Sequence, residues 1–319
     1  MEIIPQVLLL IVGFILLIKG ADFFVDGASS TASNFKVPKI LIGLTIIAFG
    51  TSAPELAVSM QALASGSTDM VLGNVIGSNI LNILLILGLA ALIKPLRIKK
   101  NTIRKEIPIT VLISTLLVTL FLDVQLNHGT INQITRGDGI AILLFFAIFL
   151  YYLISMALHD RDKGKVEKPK WKIGLSLLFT GIGLAGIIFG SNLVVDSATT
   201  IASHFGVSER IIALTVIALG TSLPELVTTV VSARKGETEL VLGNILGSNI
   251  FNICVVLGVP VAIFGTVTPA SFQVLDLIML ISSAILLFIF SITQHKISRA
   301  EGLIMLLAFA GYYTAIFLL

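Results

Sequence analysis

Gly50-Thr51-Ser52-Ala53-Pro54-Glu55-Leu56 and Gly220-Thr221-Ser222-Leu223-Pro224-Glu225-Leu226 each set a carboxylate behind a proline inside an otherwise apolar stretch. The two heptads are the centre of a longer repeat: residues 20–88 align with 190–258 at a constant offset of 170, without a gap, and roughly half the positions are identical. Downstream of each heptad the repeat holds Leu72-Gly73-Asn74-Val75-Ile76-Gly77-Ser78-Asn79-Ile80-Leu81-Asn82 and Leu242-Gly243-Asn244-Ile245-Leu246-Gly247-Ser248-Asn249-Ile250-Phe251-Asn252. A repeat of this length decides architecture before any local propensity does.

The setting of the repeat is lipid. Of 319 residues 56% are hydrophobic and 12% charged, with a mean hydropathy of +1.03. That leaves too little polar surface to cover a water-soluble globule, which excludes a soluble enzyme, a disordered chain and a nucleic-acid binder. The single cysteine, Cys254, forms no intrachain disulfide. A crossing helix needs about 20 mostly apolar residues. Ten such stretches are expected, at 3–20, 40–64, 70–92, 107–122, 138–158, 173–192, 210–233, 240–264, 272–292 and 300–318. The first has Glu2 ahead of it, no basic segment and no small-residue cleavage site, so it reads as a retained helix.

Lys and Arg placement orients the spans. With both termini outside, all but Arg136 and Arg210 of the 21 basic residues fall on the inner side or at inner span ends. The expected fold is therefore an all-α integral membrane protein with a five-helix repeat over 1–158, a cytoplasmic linker over 159–172 and a second five-helix repeat over 173–319. Five is odd, so equivalent helices cross in opposite directions and the repeats are inverted. The charges agree. Phe35-Lys36-Val37-Pro38-Lys39 is basic where Phe205-Gly206-Val207-Ser208-Glu209 is not, and Ala233-Arg234-Lys235-Gly236 is basic where Ala64-Ser65-Gly66 is not. Inverted repeats with interrupted helices mark secondary transporters, with the substrate site at the repeat interface.

Pro54 and Pro224 should interrupt the second and seventh spans, since proline lacks an N–H and clashes with the carbonyl four residues back. Irregular backbone at membrane depth is tolerated where it lines a cavity, so each break should gather carbonyls, two hydroxyls and one carboxylate. Burying an acid at the bilayer centre costs roughly 2.5–3.5 kcal/mol, and no apolar core contains a Lys or Arg to offset it. Two acids brought together by the pseudo-dyad must then be neutralised by protons or bound cations. Ser78 and Asn82 share a helix face, as do Ser248 and Asn252. Carboxylate, carbonyl, hydroxyl and amide oxygens together suit hard cations such as Ca²⁺. For Asn74, Asn79, Asn244 and Asn249, packing or interhelical hydrogen bonding stands beside ligation. Asp22, Asp26 and Asp196, near span ends, read as solvated. The four histidines, His128, His159, His204 and His295, read as surface residues, and Cys254 as a packed thiol.

At these residues the chain resembles the cation/Ca²⁺ exchanger superfamily, most closely its prokaryotic sodium/calcium exchanger branch, over nearly its whole length. The resemblance implies antiport of Na⁺ and Ca²⁺ by alternating access, with electrogenic Ca²⁺ extrusion. It implies that Glu55 and Glu225, with oxygens of Thr51 and Thr221, form the Ca²⁺ site. Ser52, Ser78, Ser222 and Ser248, with the carbonyls of Ala48 and Ala218, would complete flanking Na⁺ sites, and Asn82 and Asn252 fall at the two central polar positions. Some relatives carry Asp at the position of Asn252, and an amide there argues against K⁺ co-transport. A proton-coupled Ca²⁺ antiporter using the same two acids is the alternative. No cofactor, nucleic acid or obligate protein partner is expected beyond the transported ions and membrane lipid. The location implied is a cytoplasmic or inner membrane. An intramembrane hydrolase built on Ser52 or Ser222 would lack a membrane-embedded His or Lys base.

Overall fold

A computed structural model of the chain describes residues 3–128, 130–159, 168–206, 218–268 and 274–318. Helix α1 (Ile3–Phe35) leads into α2 (Lys39–Thr51) and α3 (Ala53–Ala64), which are bent by 45° at Ser52. Then come α4 (Thr68–Ile93), β1 (Leu96–Arg97), α5 (Lys100–Arg104), α6 (Glu106–Phe121), α7 (Asp123–Asn127) and α8 (Arg136–His159). The remainder comprises α9 (Ile173–His204), α10 (Ala218–Thr221), α11 (Leu223–Lys235), α12 (Thr238–Phe264), α13 (Val274–Gln294), β2 (Lys296–Ile297) and α14 (Arg299–Leu318).

Among the described residues six helices are long and apolar enough to cross a membrane, or seven when α2 and α3 count as one bent span. Of the other expected spans, 107–122 corresponds to α6, which has 16 residues, about 24 Å of helix. Residues 210–217 of the span at 210–233 lie outside the described residues, as do 160–167 of the linker. The span at 300–318 corresponds to α14, which carries Arg299 and Glu301 in its first turn. Two spans prove longer than the expected 3–20 and 173–192. α1 has 33 residues and α9 has 32, about 50 Å each against a hydrocarbon core of about 30 Å. Neither extension contains a proline, and both are rich in Ala, Ser and Thr, so nothing stops the helix where the apolar run thins.

α1 and α9 lie against each other along their length through glycines placed seven apart. A Cβ on Gly20 would sit 2.8 Å from the backbone N of Ile187 and 2.9 Å from the carbonyl oxygen of Gly183. On Gly13 it would sit 3.0 Å from the carbonyl oxygen of Gly190, and on Gly27 2.6 Å from the backbone N of Thr180. Small residues permit such backbone contact where lipid leaves little apolar driving force between helices.

Around this pair the repeat is visible in the element bounds. α4 switches to π geometry over Asn82–Leu87 and α12 over Asn252–Leu257, and α2 has a third π segment at Gly43–Ile47. Such bulges are frequent at functional sites. Gly66 (φ 80°) and Gly236 (φ 78°) turn the chain between α3 and α4 and between α11 and α12. The last long helix of each half packs on the other half: α8 against the C-terminal part of α12, α14 against that of α4. The crossings are closed by Gly139 beside Gly258 and by Gly302 beside Gly88. Connections also meet across the halves. β1 pairs antiparallel with β2, Leu96 opposite Ile297, and Ile134 forms a bridge with Val267.

Replacing Gly20 by Ala should cost about 1–3 kcal/mol through overpacking and lower the thermal midpoint in detergent. Gly181→Ala on α9, where a Cβ meets nothing within 4 Å, should leave it unchanged.

Candidate functional site

The prolines do less to the helix interior than the sequence implies. Pro54 and Pro224 occupy the first turn of α3 and α11, where a missing N–H costs nothing. The bend falls on the serine before, with Ser52 at φ −87°, ψ 8° and Ser222 at φ −91°, ψ 6°. The carbonyl of Ala48 is not freed; it accepts the Ser52 N–H at 3.0 Å and the Thr51 hydroxyl at 3.4 Å. The carbonyl that a proline deprives of its amide is the one four residues back, and at Gly220 the Ser191 hydroxyl replaces it at 3.0 Å. Repeat-equivalent Ala21 offers no hydroxyl. Ala218 opens α10 at the edge of the described residues.

Glu55 and Glu225 thus stand in the first turn of their helices, each only 1% exposed. Their first-half and second-half serines cross over. Ser52 donates to Oε1 of Glu225 at 2.8 Å, and Ser222 donates to Oε1 of Glu55 at 3.2 Å. Thr51 lies beside Glu225 and Thr221 beside Glu55, and the two carboxylates are near enough for their charges to interact. Ser248 adds a longer bond to Glu225 Oε1 at 3.4 Å. Ser78, its repeat equivalent, is buried but makes no hydrogen bond to Glu55 among the described residues. Oε2 of both glutamates is buried without a hydrogen-bond partner. No Lys, Arg or His among the described residues pairs with either acid.

The amides of α4 and α12 bond to one another. Asn82 donates to Asn249 at 3.0 Å, and Asn249 donates to the carbonyl of Asn79 at 3.4 Å. Oδ1 of Asn79, Oδ1 of Asn82 and both amide atoms of Asn252 are buried and unpartnered. Asn74 donates to the Glu55 carbonyl at 3.0 Å and to Ser59 at 2.9 Å, and Asn244 donates to Thr229 at 2.9 Å while accepting from Thr51 at 3.2 Å. So Asn74, Asn244 and Asn249 serve interhelical bonding. Sequence pattern could not assign these roles, because an amide inside a Gly-Ser-Asn run has no signal that separates a strut from a ligand. Nor did it find Ser191, whose partner lies in another helix. Among the described residues no group of three His, Cys, Asp or Glu is assembled.

A buried polar group without a partner costs free energy of about 1–3 kcal/mol, and a pair of buried acids without a base costs more. Two buried carboxylates that accept from serine hydroxyls, with unpartnered amide oxygens on α4 and α12, offer the kind of oxygens that hard cations take. A helical membrane protein so built is a transporter, not an enzyme. Residues 5–155 and 175–318 match the family described as sodium/calcium exchanger protein, and the chain belongs to that family. It is 42% identical over 320 residues to the candidate antiporter CaxA of Alkalimonas amylolytica, covering 96% of this chain and 97% of that protein. It is 38% identical over 275 residues to the inner membrane protein YrbG of Escherichia coli K12, covering 83% and 82%. The fold superposes on the sodium-calcium exchanger NCX_Mj with a TM-score of 0.84 at 32% identity, covering 99% of both chains.

Asn252 carries two unmet hydrogen-bonding atoms and Asn82 one. Asn252→Leu, close in volume, should therefore stabilise the ion-free protein by about 1–3 kcal/mol, read as a higher thermal midpoint in chelator. It should also abolish any rise in that midpoint on adding Ca²⁺. Asn82→Leu breaks the bond to Asn249 and should not stabilise.

Proposed function

We propose that the protein is a Na⁺/Ca²⁺ antiporter in which Glu55 and Glu225 bind one Ca²⁺ or a set of Na⁺, never both in full. The observation that carries this is the crossed serine–glutamate arrangement, with one oxygen of each acid unsatisfied. Two carboxylates cancel the charge of one Ca²⁺. The same two shared among Na⁺ ions force competition, and competition for shared ligands couples the two fluxes. Thr51 and Thr221 join the Ca²⁺ site in this reading. Ser52, Ser78, Ser222 and Ser248, with the carbonyls of Ala48 and Ala218, flank it as Na⁺ ligands, and Asn82 and Asn252 close the centre. The relative NCX_Mj, a sodium-calcium exchanger, has been soaked with Na⁺, Ca²⁺ and Sr²⁺.

The same reading takes the chain as ten spans in two inverted five-helix halves, 1–158 and 173–319, joined by the linker 159–172, with both termini outside a cytoplasmic membrane. Contacts between connections support it. β1 with β2, Lys99 with Glu239 and Lys39 with Glu237 join segments assigned to the inner side. Ile134 with Val267 and Thr68 with Thr268 join segments assigned to the outer side. Alternating access about the pseudo-dyad then exposes the glutamates to each side in turn. If exchange carries net positive charge inward with Na⁺, the membrane potential adds about 2.3 kcal/mol per charge per 100 mV to Ca²⁺ extrusion.

Purified protein in Na⁺-loaded liposomes should take up radiolabelled Ca²⁺ when diluted into Na⁺-free medium, and Glu55→Gln and Glu225→Gln should each reduce uptake to the protein-free background. Uptake driven by a pH gradient and indifferent to Na⁺ would replace this reading with proton coupling.

A further inference from the structure

The repeat makes the two ends of the candidate pathway comparable, and they differ. Beyond Glu225, α11 presents Thr228, Thr229 and Ser232, three, four and seven positions on and so on the glutamate's own face. All three are buried, and the Thr228 hydroxyl has no partner. The equivalent face beyond Glu55 is Val58, Ser59 and Ala62. The polar stripe of α11 ends at Lys235, just before the turn at Gly236.

There α11 meets α1, and Lys235 is held by it three ways. Its ammonium lies 2.7 Å from Asp26 Oδ1, 3.3 Å from Asp22 Oδ1 and 2.9 Å from the Asp22 carbonyl oxygen. Lys170, at the end of the linker, takes the other oxygen of Asp26 at 2.6 Å. One turn along α1, Ser29 donates to Glu237 at 3.2 Å, and Glu237 also receives Lys39 at 2.8 Å. Asp22 and Asp26 are thus ion-paired, not simply solvated as their place near a span end implies. At the opposite end the repeat puts Ser65, Ser67 and Asn192 in place of Lys235, Glu237 and Asp22, and Asp196 is exposed without an ion pair among the described residues.

We propose that Lys235 is a cationic plug at the cytoplasmic foot of the Glu225–Thr228–Thr229–Ser232 face, and that it must leave Asp22 and Asp26 before ions reach the glutamates from inside. This rests on the antiport reading above for its sidedness. A tethered ammonium between two carboxylates excludes Na⁺ and Ca²⁺ from the mouth while it stays, and its departure both parts α1 from α11 and leaves two acids to attract the incoming cation. Among the described residues the outer end shows no such ion-paired lysine, so the inner gate is the ionic, salt-sensitive one.

The test is the rate at which a water-soluble maleimide labels Ser232→Cys in a Cys254→Ser background, with the protein in lipid nanodiscs. Labelling should be slow with Lys235 present and about fivefold faster in Lys235→Gln and in Asp26→Asn. That ratio corresponds to about 1 kcal/mol, the upper range for partly exposed ion pairs. Lys235→Arg should keep the slow rate. Raising the salt concentration should speed the Lys235 protein and leave Lys235→Gln unmoved. Equal rates in the Lys235, Lys235→Gln and Asp26→Asn proteins would overturn the plug. Absence of Na⁺-driven Ca²⁺ uptake by the unsubstituted protein with the labelling ratio intact would fault the exchange reading instead.

Discussion

Ser52 and Ser222 each reach across the molecule to the carboxylate of the opposite half, and the rest of the structure exists to hold those two acids in lipid with an oxygen to spare. A single buried carboxylate would be settled by a proton or a basic neighbour. Two of them, facing each other without a base, call for protons or bound cations to neutralise both. The bend at each serine and the first-turn prolines set hydroxyl oxygens, not ammonium groups, beside the two acids. The basic residues are kept to the ends of the helices, where they bind one another's acids instead.

That separation explains how a nearly symmetric protein can have unlike ends. At the centre the two halves match almost residue for residue in sequence, yet their contacts differ: Ser191 serves Gly220 where its equivalent is Ala21, and Ser248 touches Glu225 where Ser78 does not touch Glu55. One end gathers Lys39, Lys99, Lys170 and Lys235 with their acids. Lipid asymmetry and the positive-inside bias act on surfaces, so duplicated helices diverge first where they meet the interface.

What the sequence made legible follows the same division. Glu55 and Glu225 stand out because an acid in an apolar span is rare and costly, and their crossed contacts are what a pseudo-dyad requires. The bends were legible from proline, though their mechanism was not: the proline starts a helix and the serine carries the turn. Span lengths were misjudged at α1 and α9 because the apolar run ends before the helix does. The ion pairs of Asp22 and Asp26 were invisible, since their partners Lys170 and Lys235 lie far along the chain and no spacing rule connects them. The asparagines divide into struts and unpartnered groups only once tertiary neighbours are known.

The exchange of end helices between halves bears on biosynthesis. α8 finds its seat on α12, and the Gly88 edge of α4 is covered by α14. A nascent chain that has delivered only the first half to the membrane has α8 held by Tyr152 on Glu106 and Phe146 on Phe49 but without its main seat, and α4 with a bare flank. Neither half is a finished unit by itself, so maturation waits on translation of the second. A gene split at the linker would have to supply both fragments to the same patch of membrane before either became durable.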